Sequence, residues 1–413
     1  MKVISGMKSY LKQFIPSTTS SFFTYFLSAI LNLFVSYGLL VLLLRVLPKE
    51  QYGQYGLYIS VFSMLLILFN FGHKEIIFKF SSQFNVEDDS SKLLNTFRSF
   101  SQWNLVIFIA TQGLLLIDIT WYIVAMAFLL NSWLITGAAY HRGQADYRLD
   151  AFALPMQRSF WLIGCITFYF FLDEISLNQV FCAAVVATII CLLYIILPIF
   201  NQFKSVAFNQ KHDNSQMKLL FNFFIIEIAS VFYLKSDILL LRLFDLDLAI
   251  IADYFFAIQL FEIIALIIMP IGYFYFNALS KKNNGIKGPN LKKYLYPMLG
   301  VVVCAHLGIL LLAPIIFPIV IPNYTSSINS VLLIIFSLYP VAINILLSSQ
   351  LIFENKEVLY AKVCFTALVF NLILNALLIP NFEIQGVLLT KFLTECFITL
   401  LLLKILHKKN AIV

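Results

Sequence analysis

Residues 233–262, YLKSDILLLRLFDLDLAIIADYFFAIQLFE, decide the fold class of this chain. The two apolar runs that meet there, 219–241 and 248–274, are each long enough at about 1.5 Å per residue to cross a hydrocarbon layer of roughly 30 Å. Both are continuous, whereas a membrane barrel strand alternates lipid-facing and inward side chains over about ten residues. Yet they carry Glu227, Lys235, Asp237 and Glu262. A charge at the bilayer centre costs at least about 2.5 kcal/mol, so such side chains belong to a bundle interior or a wet cavity. They are candidates for a transport path.

The rest of the chain continues this pattern. Of 413 residues, 61% are hydrophobic and 12% charged, and the mean hydropathy is +0.89. A soluble domain carries about 25% charged residues, so the composition specifies a polytopic membrane protein. Twelve spans are predicted at 22–44, 55–71, 100–117, 121–140, 151–172, 177–200, 219–241, 248–274, 295–317, 328–353, 358–379 and 384–405. The expectation is an all-α integral membrane protein whose twelve transmembrane helices form two six-helix halves, 1–210 and 211–413, around a central cavity. The boundary falls in the polar linker 201–217, and LLLR at 42–45 returns at 239–242, each time closing an odd span. Parallel repeats with a site at their interface are a common transporter plan.

The net charge of +7 does not indicate nucleic acid, because the basic residues are dispersed among short loops. Of 28 Lys and Arg, 21 lie in the N-terminus, the even loops and the C-terminus, and only Arg45, Lys49 and Arg242 in the odd loops. The positive-inside rule then places both termini in the cytoplasm. The N-terminus has no compact apolar region before a small-residue cleavage site, so no cleaved signal is expected. Six cysteines sit in apolar runs without a C-x-x-C pair, and five histidines are scattered without metal spacing. No P-loop, dinucleotide fingerprint or hydrolase motif is present, and no cofactor is expected. The spans also hold Arg158, Lys362, Lys391 and Glu395, and polar seams at helical spacing, Thr24-Ser28-Asn32-Ser36, Ser337-Asn344-Ser348 and Asn371-Asn375. Lys391 and Glu395, four apart, are placed to pair. Asp237, near a span end, is read as reaching for the interface.

Three stretches carry a family resemblance: RVLPKEQYGQY at 45–55, the Ser236-Asp237 segment followed by Asp253-Tyr254-Phe255-Phe256-Ala257, and NLILNALLIPNFEIQG at 371–386. In this order on twelve spans they resemble the O-antigen (Wzx-type) polysaccharide flippases, a branch of the superfamily that also holds the multidrug and toxin extruders. Glu383 departs from the pattern, standing where that family has a glycine. The resemblance implies a flippase of the cell inner membrane. It would move an undecaprenyl-diphosphate-linked oligosaccharide from the cytoplasmic to the periplasmic leaflet in lipopolysaccharide O-antigen or similar biosynthesis, beside other polysaccharide-assembly membrane proteins. A diphosphate crossing the bilayer needs cations, which assigns its head group to Arg158, Lys235 and Lys391. Glu227, Glu262 and Glu395 are assigned to ion coupling. A membrane-embedded polymerase or glycosyltransferase, and a drug/cation antiporter, stand as alternatives.

Overall fold

The computed structural model describes residues 19–82, 89–116, 118–144, 147–172, 175–203, 214–280, 290–354 and 356–410. The first half comprises α1 (Thr19–Val46), α2 (Lys49–Asn70), the short α3 (His73–Ser82), α4 (Asp89–Thr111), α5 (Ile119–Gly143), α6 (Tyr147–Leu172) and α7 (Leu177–Phe203). The second comprises α8 (Asn214–Leu243), α9 (Leu248–Ser280), α10 (Leu291–Val320), α11 (Ile328–Phe336), α12 (Leu338–Phe353) and α13 (Glu357–Asn410). Single 3-10 turns follow α4 and α10, and no strand occurs among the described residues. Twelve crossings result: α1, α2 and α4 to α7, then α8, α9, α10, α11 with α12, and two arms of α13. Among the described residues eight stretches, one of them Val358–His407 of α13, are long and apolar enough to cross a membrane. Large apolar side chains turned outward, such as Leu116, Phe170 and Phe171, supply the lipid-facing surface. The expected boundary at 210/211 lies outside the described residues.

Helix starts follow local chemistry. Asp118 accepts a hydrogen bond from Thr120 N at 2.6 Å to open α5, and Asn290 accepts one from Lys292 N at 3.0 Å to open α10. α2 ends where Phe71 (φ 43°) and Gly72 (φ 72°) turn left-handed. Directly after this turn, the segment expected as a loop folds into α3, because Ile76 and Ile77 there are buried against neighbouring helices.

Three predicted spans are reshaped. The tenth is divided at Ser337, since Pro340 has no amide to bond Phe336 and the chain tightens through Ser337 N to Ile334 O at 3.0 Å. The eleventh and twelfth run on as α13, which reverses at Glu383 (φ 48°, ψ −125°). Its arms, 357–382 and 384–410, return antiparallel, with Phe370 stacked on Phe397 at 4.3 Å. The reversal expected of a glycine is therefore made by a glutamate.

Within the first half α1 packs on α6 and α7 on both α5 and α6; within the second, α13 packs on α8 and α12. The halves meet mainly along α2, which lies against α8 and α9, while α1 also touches α9. The two ends of α2, here the Pro48 end and the Gly72 end, lie at opposite ends of the seam between the halves; this seam is the cleft, with a mouth at each end.

Candidate functional site

The cleft gathers three of the six predicted site residues. Arg158, on α6 of the first half, donates through Nη1 to Ser36 Oγ of α1, and Ser36 donates to the Asn32 carbonyl one turn back. Across the cleft Lys235 of α8 is ion-paired with Glu262 of α9. Glu262 also lies within electrostatic range of Arg158 of the other half, whose own hydrogen bond goes to Ser36. Its side chain is 40% exposed while that of Lys235 is 12% exposed, so the acid is the group open to the cleft. The cluster sums to one excess positive charge. In a low-dielectric cleft, attraction for an anion at about 4 Å is several-fold stronger than in water.

Lys391 and Glu395 do not share this cleft. They lie in the interior of the second half, on the returning arm of α13, where Lys391 is 0% exposed. The partner of Lys391 is Asp237 of α8, at 3.9 Å, and its ammonium rests 4.2 Å from the ring centroid of Tyr233. Glu395 accepts from the Tyr233 hydroxyl at 2.6 Å and from Asn344 Nδ2 at 2.8 Å. Asp237, read in sequence as an interface residue, is instead buried and accepts from Tyr254 and Asn375, both at 2.8 Å. The Asn371-Asn375 seam thus ends on a carboxylate rather than on another helix backbone.

Glu227 belongs to a third place. At the Gly72 end it pairs with Lys74 of α3 at 3.1 Å, beside Phe71 packed on Phe224 at 4.3 Å between centroids. This joins the halves at one mouth. The Pro48 end is closed more extensively. Lys49 pairs with Asp253 at 2.8 Å, Ser327 donates to the same carboxylate at 2.6 Å, and Arg45 donates to the carbonyls of Val320 and Ile319 at 2.6 and 3.2 Å. Beneath them Tyr52, Tyr55, Phe255, Phe256 and Tyr324 interlock with centroids 5.3–5.9 Å apart. Gly53 and Gly56 permit this contact: a Cβ on Gly53 would stand 2.0 Å from the Leu248 carbonyl oxygen, and one on Gly56 2.6 Å from the Phe255 ring. The stretch 45–55 and the Asp253–Ala257 run, quoted apart in sequence, form one seal.

Among the described residues no group of three or more His, Cys, Asp or Glu side chains is arranged to hold a metal ion. A groove of about 430 Å³ between α8 and α13, lined by Ile225, Ile226, Val358, Ala361, Lys362, Phe365 and Thr366, contains none of the charged cleft residues.

No protein-family model and no curated relative matches the chain. Solved structures do. An inward-facing multidrug resistance MATE family transporter of the MOP superfamily aligns over 90% of this chain and 96% of its own, with a TM-score of 0.70 at 11% identity. The lipid II flippase MurJ, in an inward closed conformation, aligns over 93% of this chain and 87% of its own, with a TM-score of 0.70 at 16% identity. An outward-facing MATE family transporter aligns over 92% and 93%, with a TM-score of 0.66 at 9% identity. At such identities the likeness shows the fold.

Proposed function

We propose that this protein is a transporter that flips a lipid-linked oligosaccharide carried on undecaprenyl diphosphate from the cytoplasmic to the periplasmic leaflet of the cell inner membrane. The observation that carries the reading is the cleft cluster: Lys235 of one half paired with Glu262, and Arg158 of the other half within electrostatic range of the same carboxylate. An incoming diphosphate displaces Glu262 and bridges the same two cations, so binding couples the halves, while the polyprenyl tail stays in lipid. The fold shared with a lipid II flippase supports it. With both termini cytoplasmic, as the loop charges favour, the Pro48 end is periplasmic and its seal holds the outward mouth shut. Glu262 is released when substrate arrives, Glu227 opens and closes the Gly72 mouth with Lys74, and Glu395 serves coupling from the second-half core. Lys391, sealed beside Asp237, is placed with Glu395 rather than with the substrate.

The test is deletion of the gene, followed by analysis of lipid-linked intermediates on each leaflet. Accumulation of an undecaprenyl-diphosphate oligosaccharide on the cytoplasmic leaflet, relieved by the parent gene but not by Arg158→Gln, is the expected result. Normal surface polysaccharide in the deletion overturns the reading. A second reading, export of an organic cation, draws on the partly exposed Glu262 carboxylate and on the fold shared with MATE transporters. It is favoured if purified protein in liposomes moves small organic cations and leaves the lipid-linked sugar where it was.

A further inference from the structure

The core of the second half encloses three ionisable side chains that the cleft does not use. Lys391 is 0%, Asp237 1% and Glu395 6% exposed. Two carboxylates against one ammonium leave one negative charge in excess, and an uncompensated buried charge costs several kcal/mol. One proton makes the site neutral. The carboxylates are furnished alike: each accepts one tyrosine hydroxyl and one asparagine amide, Tyr254 and Asn375 on Asp237, Tyr233 and Asn344 on Glu395. The ammonium pairs with Asp237 but hydrogen-bonds neither acid. It stands 3.9 Å from Asp237 and makes no hydrogen bond among the described residues. It lies over the face of the tyrosine whose hydroxyl holds Glu395, an arrangement that attracts a cation without fixing it in one place.

We infer that Asp237, Glu395 and Lys391 form a proton-binding site in which Lys391 is a captive counter-ion, moving across the Tyr233 ring between the two acids, with the proton on whichever acid it leaves. The inference deepens the transporter reading above and rests on it for its purpose. Lys391 and Glu395 are one turn apart on the same arm, so a change of side-chain rotamer brings the ammonium to Glu395 without moving a helix. Asp237 is on α8, so the ammonium clamps α8 to α13 only while it faces Asp237. In that state Glu395 carries the proton as a carboxylic acid. When the proton leaves for water, the Glu395 O–H bond breaks, its carboxylate draws the ammonium, and Asp237 takes up a proton in turn. No electron is transferred and no other reactant is needed. The titratable groups around the site are Tyr233 of α8, Tyr254 of α9 with Glu262 beyond it, Tyr360 and Cys364 of the first arm of α13, and Cys396 of its returning arm. α11 presents none and α12 contributes Asn344.

Infrared difference spectroscopy of the purified full-length protein, without substrate, counts protonated carboxylic acids by their carbonyl stretch. The parent shows one buried acid at neutral pH. Glu395→Gln and Asp237→Asn each remove that band, because the remaining acid is balanced by Lys391. Lys391→Met, close in shape, raises the count from one to two. Size-exclusion chromatography confirms folding, and if Lys391→Met does not fold, the two acid variants carry the test. A band that persists in Glu395→Gln, or a count unchanged in Lys391→Met, overturns the proton site. These outcomes are read without transport, so they stand apart from any failure of the flippase reading.

Discussion

Gly53→Ala is the sharpest test of the seal at the Pro48 end. The added Cβ meets the backbone oxygen of Leu248 at 2.0 Å, and a carbonyl in the first turn of α9 cannot rotate away as a side-chain tip does. Ordinary contact begins at 3.4 Å, so α2 and α9 must part by roughly 1.4 Å. The Lys49 side chain is long enough to follow Asp253, but the packed rings of Tyr52, Tyr55 and Phe255 are not. Overpacking of this kind costs about 1–3 kcal/mol, which moves a closed-to-open equilibrium by about 5- to 150-fold. Spin labels at Gln51 and Asp247, both exposed, report the separation by pulsed electron resonance, and the variant should gain a population at longer distance. Gly300→Ala and Gly308→Ala, where a Cβ meets nothing within 4 Å, are the controls and should leave the distribution unchanged. Refutation is a Gly53→Ala protein with the parent's distance distribution and the parent's transport rate.

Arg158→Gln should abolish transport at unchanged protein level, whereas Arg158→Lys keeps the charge and should retain part of it; surface polysaccharide on a gel reads both. Exchanging the charges, Lys49→Asp with Asp253→Lys, should reverse most of the open-state shift caused by either change alone, with a coupling of about 1 kcal/mol in a double-mutant cycle on label distances, as expected for a partly exposed pair. Glu383→Gly should stabilise the protein by up to about 1 kcal/mol, because the left-handed φ of 48° is free of steric cost only for glycine and the gain is offset in part by a looser unfolded chain. Thermal unfolding in detergent checks it, and a lower midpoint would contradict the turn geometry.

The spans were legible because unbroken apolar runs of membrane length suit a bilayer and little else, and the three short motifs fall where the structure brings chain segments together. Partners across the bundle were not legible. Helical spacing joins Lys391 to Glu395 on one arm, yet the ammonium leans to Asp237, an α8 residue whose burial depends on how two helices cross. Glu227 and Asp237 stand on one helix, but α3 and α13 approach it at different heights and take one acid each. The nearness of Arg158 to Glu262 arises between the halves, which no window of sequence contains. Asn371-Asn375 was the one local sign of the core site: two amides a turn apart inside an apolar run need a polar recipient.

The α13 hairpin also fixes an order of assembly. Asp237 enters the membrane with α8, and its first partner, Tyr254, follows within seconds on the next helix. Asn375 and Lys391, the groups that complete its surroundings, are about 150 residues behind. At about 5–20 residues per second of synthesis, α8 waits roughly 8–30 s with a carboxylate that lipid cannot solvate. A chain interrupted before α13 therefore carries an orphan acid in the bilayer, and its expected fate is failed insertion and proteolysis, not a folded but inactive transporter.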